Sequence, residues 1–313
     1  MPQAVKGNDG RIHVVFGSGD SILYNSLRSD ENNEPQLIAV LPGLAASHMR
    51  GPQIAATAHG ITVIACNKQG DIFSYLKNGS GEWKPGGKVN DADTVAKEGL
   101  MSLAGDGELV FAVWLDLRSK NNQLYGSRSS NGGQSWGRNM LIYSSPDNTV
   151  CECCKPSVAM KDTRVAVQFR NWLNGDRDLY LIQSDDAGTS FGTAVKLGTG
   201  SWKLDGCPMD GGSLSLNAAA IQTVWRRKGI IYTCEPGGNE LELAEGKNPV
   251  LQTLNGENVY AWTEGVNIMV QLPKQEKKNI GKGTAPVLVA DAGTIYCIYE
   301  ANKKILKTTI AIK

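Results

Sequence analysis

The chain carries almost no net charge, with 32 lysines and arginines against 31 aspartates and glutamates in 313 residues. Nothing in that balance implies a nucleic-acid or polyanion partner. Histidine is nearly missing: His13, His48 and His59 are scattered, and a Ser-His-Asp arrangement built on His48 would lack any nucleophile signature beyond the polar loop residue Ser47. No run approaches the roughly 18 consecutive apolar residues of a membrane helix. No amphipathic stretch of ten or more residues with a 3.6-residue period separates the extended segments, which argues against a parallel α/β sheet. The start, MPQAVKGNDG, has no basic and apolar signal segment and falls straight into a strand. We expect a trimmed leader and a native location outside the cytoplasm, periplasmic or secreted, although a cytoplasmic chain would begin the same way.

Glycine is abundant, at 36 residues, and signals many turns. Two octapeptides 55 residues apart, SSNGGQSW (Ser129 to Trp136) and SDDAGTSF (Ser184 to Phe191), share the pattern SxDxGx(S/T)(W/F), with Asn131 replacing Asp186 in the first copy. Each follows a short apolar strand containing Leu-Tyr (Leu124-Tyr125, Leu179-Tyr180). The polar and glycine positions therefore form a tight turn, while the aromatic residue plugs the apolar layer beneath.

A longer repeat runs beneath these octapeptides: an apolar extended segment, a turn, then a stronger strand. It reads PQAVKGNDGRIHVVF from Pro2, PQIAATAHGITVIAC from Pro52, PSVAMKDTRVAVQF from Pro156, PVLQTLNGENVYAW from Pro249 and PVLVADAGTIYCIY from Pro286, with less regular copies from Leu100 and Gly211. A third strand follows most copies (SILYNS, DIFSYL, QLYGSR, DLYLIQ, IIYTC, NIMVQL, KILKTTI) and often a fourth. Four short strands per roughly 40 to 50 residues is the repeat of a propeller blade. The expected fold is all-β, a β-propeller of four-stranded antiparallel blades forming a single domain over 1–313. Seven blades are favoured and six are the alternative; the last unit ends in its third strand.

In such blades the 1–2 and 3–4 turns share one face, so both octapeptides are structural. The other face holds the 2–3 loops and the interblade connections, where function is sought. Arg50, Lys155, Lys247 and Lys282 precede four innermost strands and would form a positive funnel on that face. The 2–3 loops add Arg118, Arg170, Arg226 and Arg227 beside Asp116, Glu264 and Glu300. Arginine forks bind carboxylates bidentately, which points to an anionic sugar or similar small ligand. Trp114, Trp172, Trp225 and Trp262 at strand ends would either stack on sugar rings or pack between blades.

Three of the seven cysteines, Cys66, Cys234 and Cys297, lie in apolar strands and read as buried free thiols. Cys151, Cys153 and Cys154 form CECC before the fourth unit, and Cys207 lies in DGCPMD before the fifth. Adjacent blades bring these four together. A disulfide from CECC to Cys207 closes a loop of more than fifty residues. A zinc or copper site using the same sulfurs, with His48, Met49 and Met209 as further soft donors, is the second reading. Thiol or vicinal-disulfide redox chemistry at Cys153 and Cys154 is the third.

With the octapeptides and the segments CECCKPS, FRNWLNGDRDLY and WKLDGCPMDGG in place, the chain resembles the Asp-box, or BNR-repeat, branch of bacterial sialidase-like β-propellers over nearly its whole length. That resemblance implies an arginine triad for a carboxylate, a tyrosine nucleophile with a glutamate partner, and an aspartate acid/base. Arg50, in RGP, resembles the first arginine of the pattern, and Arg170 with Arg226 would complete the triad. Tyr299, Glu264 and Asp116 are the candidates for the remaining chemistry. Glu300 adjoins Tyr299 but would point to the opposite strand face, and Asp91 or Asp93 better matches the position of the family's aspartate. Paired-carboxylate hydrolysis would draw on Asp116, Asp205, Asp210, Glu98 or Glu264. The leading expectation is a propeller that binds an anionic carbohydrate, with exo-glycosidase activity open. The alternatives are a metal or thiol-redox centre at the cysteines, or a non-catalytic interaction scaffold; oligomeric state is not legible.

Overall fold

The computed structural model describes residues 1–28, 34–79 and 81–312. Among them every regular element is a β-strand. They form seven antiparallel sheets: blades one (3–40), two (53–88), three (101–143), four (157–196), five (213–245) and six (247–282) have four strands in simple meander order, and blade seven (284–311) has three. The innermost strand of each blade lies against that of the next. Thr284–Asp291 of blade seven meets Gln3–Lys6 of blade one, which closes the ring. The structure is therefore a seven-bladed β-propeller, as the repeat count favoured.

The second strand of each blade explains why the repeat is so legible. It is covered by a neighbouring blade on each side, so Leu109–Asp116 and Arg164–Arg170 are buried almost throughout instead of alternating. One apolar cluster fills each of the seven interblade interfaces. Ile64, Cys66 and Ile72 of blade two pack with Val110, Ala112 and Trp114 of blade three. The closing interface joins Ile12 and Val14 to Val289 and Ile298. Each fully buried branched side chain contributes about 2 kcal/mol, so the seam between first and last blades is a packed interface like the others.

Both octapeptides fold into the same turn. The leading serine accepts the backbone N–H of the fifth residue, at 2.8 Å from Gly133 to Ser129 and 2.9 Å from Gly188 to Ser184. The third residue accepts the N–H of the seventh, at 3.0 Å from Ser135 to Asn131 and 2.8 Å from Ser190 to Asp186. Each turn clasps the preceding blade. A Cβ on Gly188 would stand 2.4 Å from Phe111, and one on Gly133 would stand 2.6 Å from Thr62. Trp136 packs against the cluster between blades two and three, and the Phe191 ring lies 5.6 Å from that of Phe111. The aromatic residues are core plugs.

The face opposite these turns is lopsided. The connections entering blades two to five span residues 41–52, 89–100, 144–156 and 197–212, whereas blades six and seven are entered through Gly246 and Gly283 alone.

Candidate functional site

A cavity of about 430 Å³ runs along the propeller axis, lined by the innermost strands of all seven blades. The repeat places Gln3, Gln53, Ser102, Ser157 and Ser213 at equivalent early positions of five such strands, so amides and hydroxyls recur around the wall. Lys155 and Asp210, from the long connections before blades four and five, also line the cavity. Burial pushes the Lys155 ammonium down to about 8, and no carboxylate pairs with it among the described residues. Burial likewise pushes the Asp210 carboxyl up to about 6, against the opposing pull of Arg226, Arg170 and Lys247. Its Oδ2 lies 2.7 Å from Arg226 Nε, close enough for an ion contact but out of line for a hydrogen bond. Among the described residues, Asp210 is the only acidic one in the wall.

Of the expected basic funnel, only Lys155 lines this cavity. Arg50 donates to the Glu98 backbone carbonyl at 2.5 Å and to its carboxylate at 3.2 Å. Lys247 and Lys282 stand exposed at the first and last positions of blade six. Arg118 makes two 2.9 Å bonds to Asp116, bonds Asp91 at 3.0 Å and lies over the Tyr125 ring. Asp116 is fully buried and also accepts from Trp114 Nε1 at 2.8 Å. Glu264 is held by Lys277 at 2.6 Å and Trp262 at 3.3 Å. Tyr299 packs in the cluster between blades six and seven with its hydroxyl 3.3 Å from Thr308, while Glu300 faces the Met1 amine at 3.9 Å. The structure therefore does not gather Asp116, Glu264 and Tyr299 at one cavity. Trp114, Trp225 and Trp262 are closed off between blades, which leaves Trp172 as the one partly accessible tryptophan of the four.

Arg170, Arg226 and the cysteines do come together, beside the axial cavity. Arg170, 2 % exposed, donates to the carbonyls of Arg177 at 2.7 Å and Arg226 at 2.8 Å. Arg226 donates to the Pro208 carbonyl at 3.2 Å. Sequence reasoning passed over Arg177, which organises the cluster: it is 3 % exposed, lies over the Trp172 ring, and reaches Cys151 Sγ at 3.1 Å and Glu152 at 3.2 Å. The eight-residue loop 171–178, long for a 2–3 connection, was the available signal. His48 is exposed on the connection before blade two.

The expected disulfide from CECC to the DGCP segment is Cys153–Cys207, with Cα atoms 6.1 Å apart and a sequence separation of 54. Cys66, Cys234 and Cys297 are buried free thiols, and burial pushes Cys66 and Cys297 up to about 12. Cys151 and Cys154 are also free, with Sγ atoms 3.2 Å apart. The sulfurs of Cys151, Cys153 and Cys154 lie within 4.8 Å of one another. Two of the four cysteines are engaged in the disulfide, however, and the Arg177 guanidinium occupies the cationic position beside Cys151. That set does not fit a four-thiolate zinc or copper ion.

A second cavity, about 590 Å³, opens on the turn face between blades one and two. There His13 lies 2.9 Å from Asp9 and 2.5 Å from the Tyr24 hydroxyl, and burial lowers the His13 pKa. Asp9 also holds Arg11 N–H, and Arg11 holds Ser26. Asp9, Arg11, His13, Tyr24 and Ser26 of this wall are engaged with one another, and Tyr24 is only 2 % exposed.

No family model and no curated protein matches the sequence. Solved structures do match the fold. A Penicillium chrysogenum α-L-arabinanase complexed with arabinobiose is 12 % identical at a TM-score of 0.56, covering 83 % of this chain and 92 % of that one. A fucose-specific lectin from Aleuria aurantia is 12 % identical at 0.56, covering 91 % and 95 %. A protein of unknown function from Dyadobacter fermentans is 14 % identical at 0.54, covering 100 % and 94 %. The chain thus shares its propeller fold with glycoside hydrolases and lectins.

Proposed function

We propose that the protein is a single-domain carbohydrate-binding propeller that takes a small sugar in its axial cavity, on the face of the long connections. The observation that carries this reading is the cavity wall: recurrent amide and hydroxyl side chains, one half-buried amine without a carboxylate partner, and one carboxyl. Sugars are recognised by such convergent polar groups in concave sites. The half-buried Lys155 ammonium, with no carboxylate partner, favours a ligand that brings its own negative charge, such as an acidic sugar. The arabinobiose-bound arabinanase and the fucose lectin, which share the fold, support a saccharide ligand. The matched hydrogen bonding of the two octapeptides supports placing the chain in the Asp-box branch.

Binding is favoured over hydrolysis. Glycoside hydrolysis generally uses two carboxyl groups on either side of the scissile bond, and Asp210 stands without a second acid in the wall. Asp116, Glu264 and Tyr299 are each engaged in local contacts away from it. The disulfide supports a location outside the cytoplasm.

Calorimetric titration with neutral and acidic mono- and disaccharides tests this reading, alongside Lys155→Met and Ser213→Val. Saturable binding of an acidic sugar, weakened at least tenfold in Lys155→Met, is expected. Binding that is indifferent to both substitutions, or none by the folded protein at millimolar sugar, rejects the reading.

A further inference from the structure

The four clustered cysteines are not equivalent. Cys151 and Cys154 are three residues apart, the spacing of a C-x-x-C dithiol, which the doubled cysteine in CECC obscures. Their sulfurs are 3.2 Å apart, 0 % and 2 % exposed. Cys151 Sγ is also 3.8 Å from Cys153 Sγ, one end of the disulfide. The other end, Cys207, is exposed to solvent. The buried Arg177 guanidinium, 3.1 Å from Cys151 Sγ, marks that sulfur as the one held as thiolate.

We propose that these cysteines form a thiol–disulfide exchange centre in which the buried Cys151/Cys154 dithiol passes its electrons through the Cys153–Cys207 disulfide to a small soluble disulfide. The direction follows from the asymmetry of the pair. The hydrogen bond with Cys154, then Arg170 and Arg177, lower the Cys151 pKa, while burial raises that of Cys154.

The steps balance within the protein and one named oxidant. The Cys151 thiolate attacks Cys153 Sγ, forming Cys151–Cys153 and releasing Cys207 as a thiolate at the surface. Cys154 attacks Cys151 Sγ, forming Cys151–Cys154 and releasing the Cys153 thiolate, and its proton ends on one of the two small thiolates expelled in the following steps. Cys207 then attacks the small disulfide, expelling one thiolate and forming a mixed disulfide. Cys153 attacks Cys207 Sγ, expels the second thiolate and restores Cys153–Cys207. Overall, one dithiol becomes a disulfide and one small disulfide becomes two thiols. The released Cys207 lies three residues before Asp210, so the exchange transiently frees the connection that brings the carboxyl to the axial cavity.

Oxidised glutathione is the probe, with acid quench, alkylation and peptide mass mapping of the intact protein. The expected result is a Cys151–Cys154 disulfide, two glutathiones released per protein, and a transient glutathione adduct on Cys207. Cys207→Ser should slow closure of Cys151–Cys154 at least tenfold, and Arg177→Gln should slow it while leaving Cys207 reactive in the reduced protein. The adduct is read on the unsubstituted protein, so the test survives a variant that misfolds. Cys151 and Cys154 remaining reduced, closing equally fast in folded Cys207→Ser, or retaining a stoichiometric metal ion would each overturn the proposal.

Discussion

Blades one to five and blades five to seven are joined by opposite means. In the first group the chain enters each new blade through 12 to 16 residues, given by the spans 41–52, 89–100, 144–156 and 197–212. These segments are tied down by side chains: Asp71 accepts the N–H of Thr94, Asp178 accepts that of Trp202, and Arg50 holds Glu98. In the second group the strand of one blade becomes the strand of the next across one glycine. A Cβ on Gly246 would stand 2.5 Å from Trp262 Cδ1, and one on Gly283 would stand 2.6 Å from Tyr299 Cδ2 and 2.7 Å from the Glu300 carbonyl. The contrast teaches where chemistry can be housed. Only the long connections carry enough chain to deliver Lys155, Asp210 and the cysteine cluster to the axis, while the short ones hold the ring shut.

Substitutions that cross this boundary should separate the two halves. The largest effect belongs to the disulfide. Replacing Cys153 and Cys207 by serine should lower the unfolding free energy by about 4 kcal/mol on the chain-entropy estimate for a 54-residue separation, read by urea denaturation. Gly283→Val drives a side chain into the second strand of blade seven and should cost about 3 kcal/mol, with a matching fall in melting temperature.

Lys155→Met should act in the opposite direction. With its pKa lowered from 10.5 to about 8, holding the folded ammonium costs stability below pH 8, and that cost fades as pH rises from 8 to 10.5. The substitution should therefore stabilise the protein by about 2 to 3 kcal/mol at pH 7 and by much less near pH 10.5. Acylation of this one amine in the unsubstituted protein should rise through pH 8. Arg177→Met removes the contacts to Cys151 and Glu152 and should cost about 2 kcal/mol. Two glycines inserted between the exposed Ser47 and His48 should cost less than about 0.6 kcal/mol, whereas the same insertion at Gly246 should disrupt the ring.

The fold was legible because every blade repeats one demand, a second strand buried on both sides. That demand leaves a continuous apolar run such as FAVWLD or ITVIAC after a proline or glycine break. The octapeptides were legible for a similar reason, since serine, aspartate and glycine at fixed offsets specify one turn. The site was less legible. Topology alone assigns Lys155, Arg170, Arg226 and the cysteines to the face of the interblade connections, and a bridge from CECC to Cys207 is one of three readings that adjacent blades allow. Which arginine faces a ligand and which is engaged with a local carboxylate depends on side-chain direction within long loops. Arg50 turning to Glu98 and Arg118 turning to Asp116 leave no periodic trace. Arg177 was missed because a single arginine in a polar loop looks solvated until Trp172 and Cys151 are folded around it.

The most direct test of carbohydrate binding at the axis is a crystal structure of the protein saturated with the sugar that titration identifies. The account predicts that sugar within the axial cavity, hydrogen-bonded to the polar residues of the innermost strands and within reach of Lys155. A sugar bound instead at the turn-face cavity beside His13 and Tyr24, or between outer strands with the axis empty of it, would contradict the account.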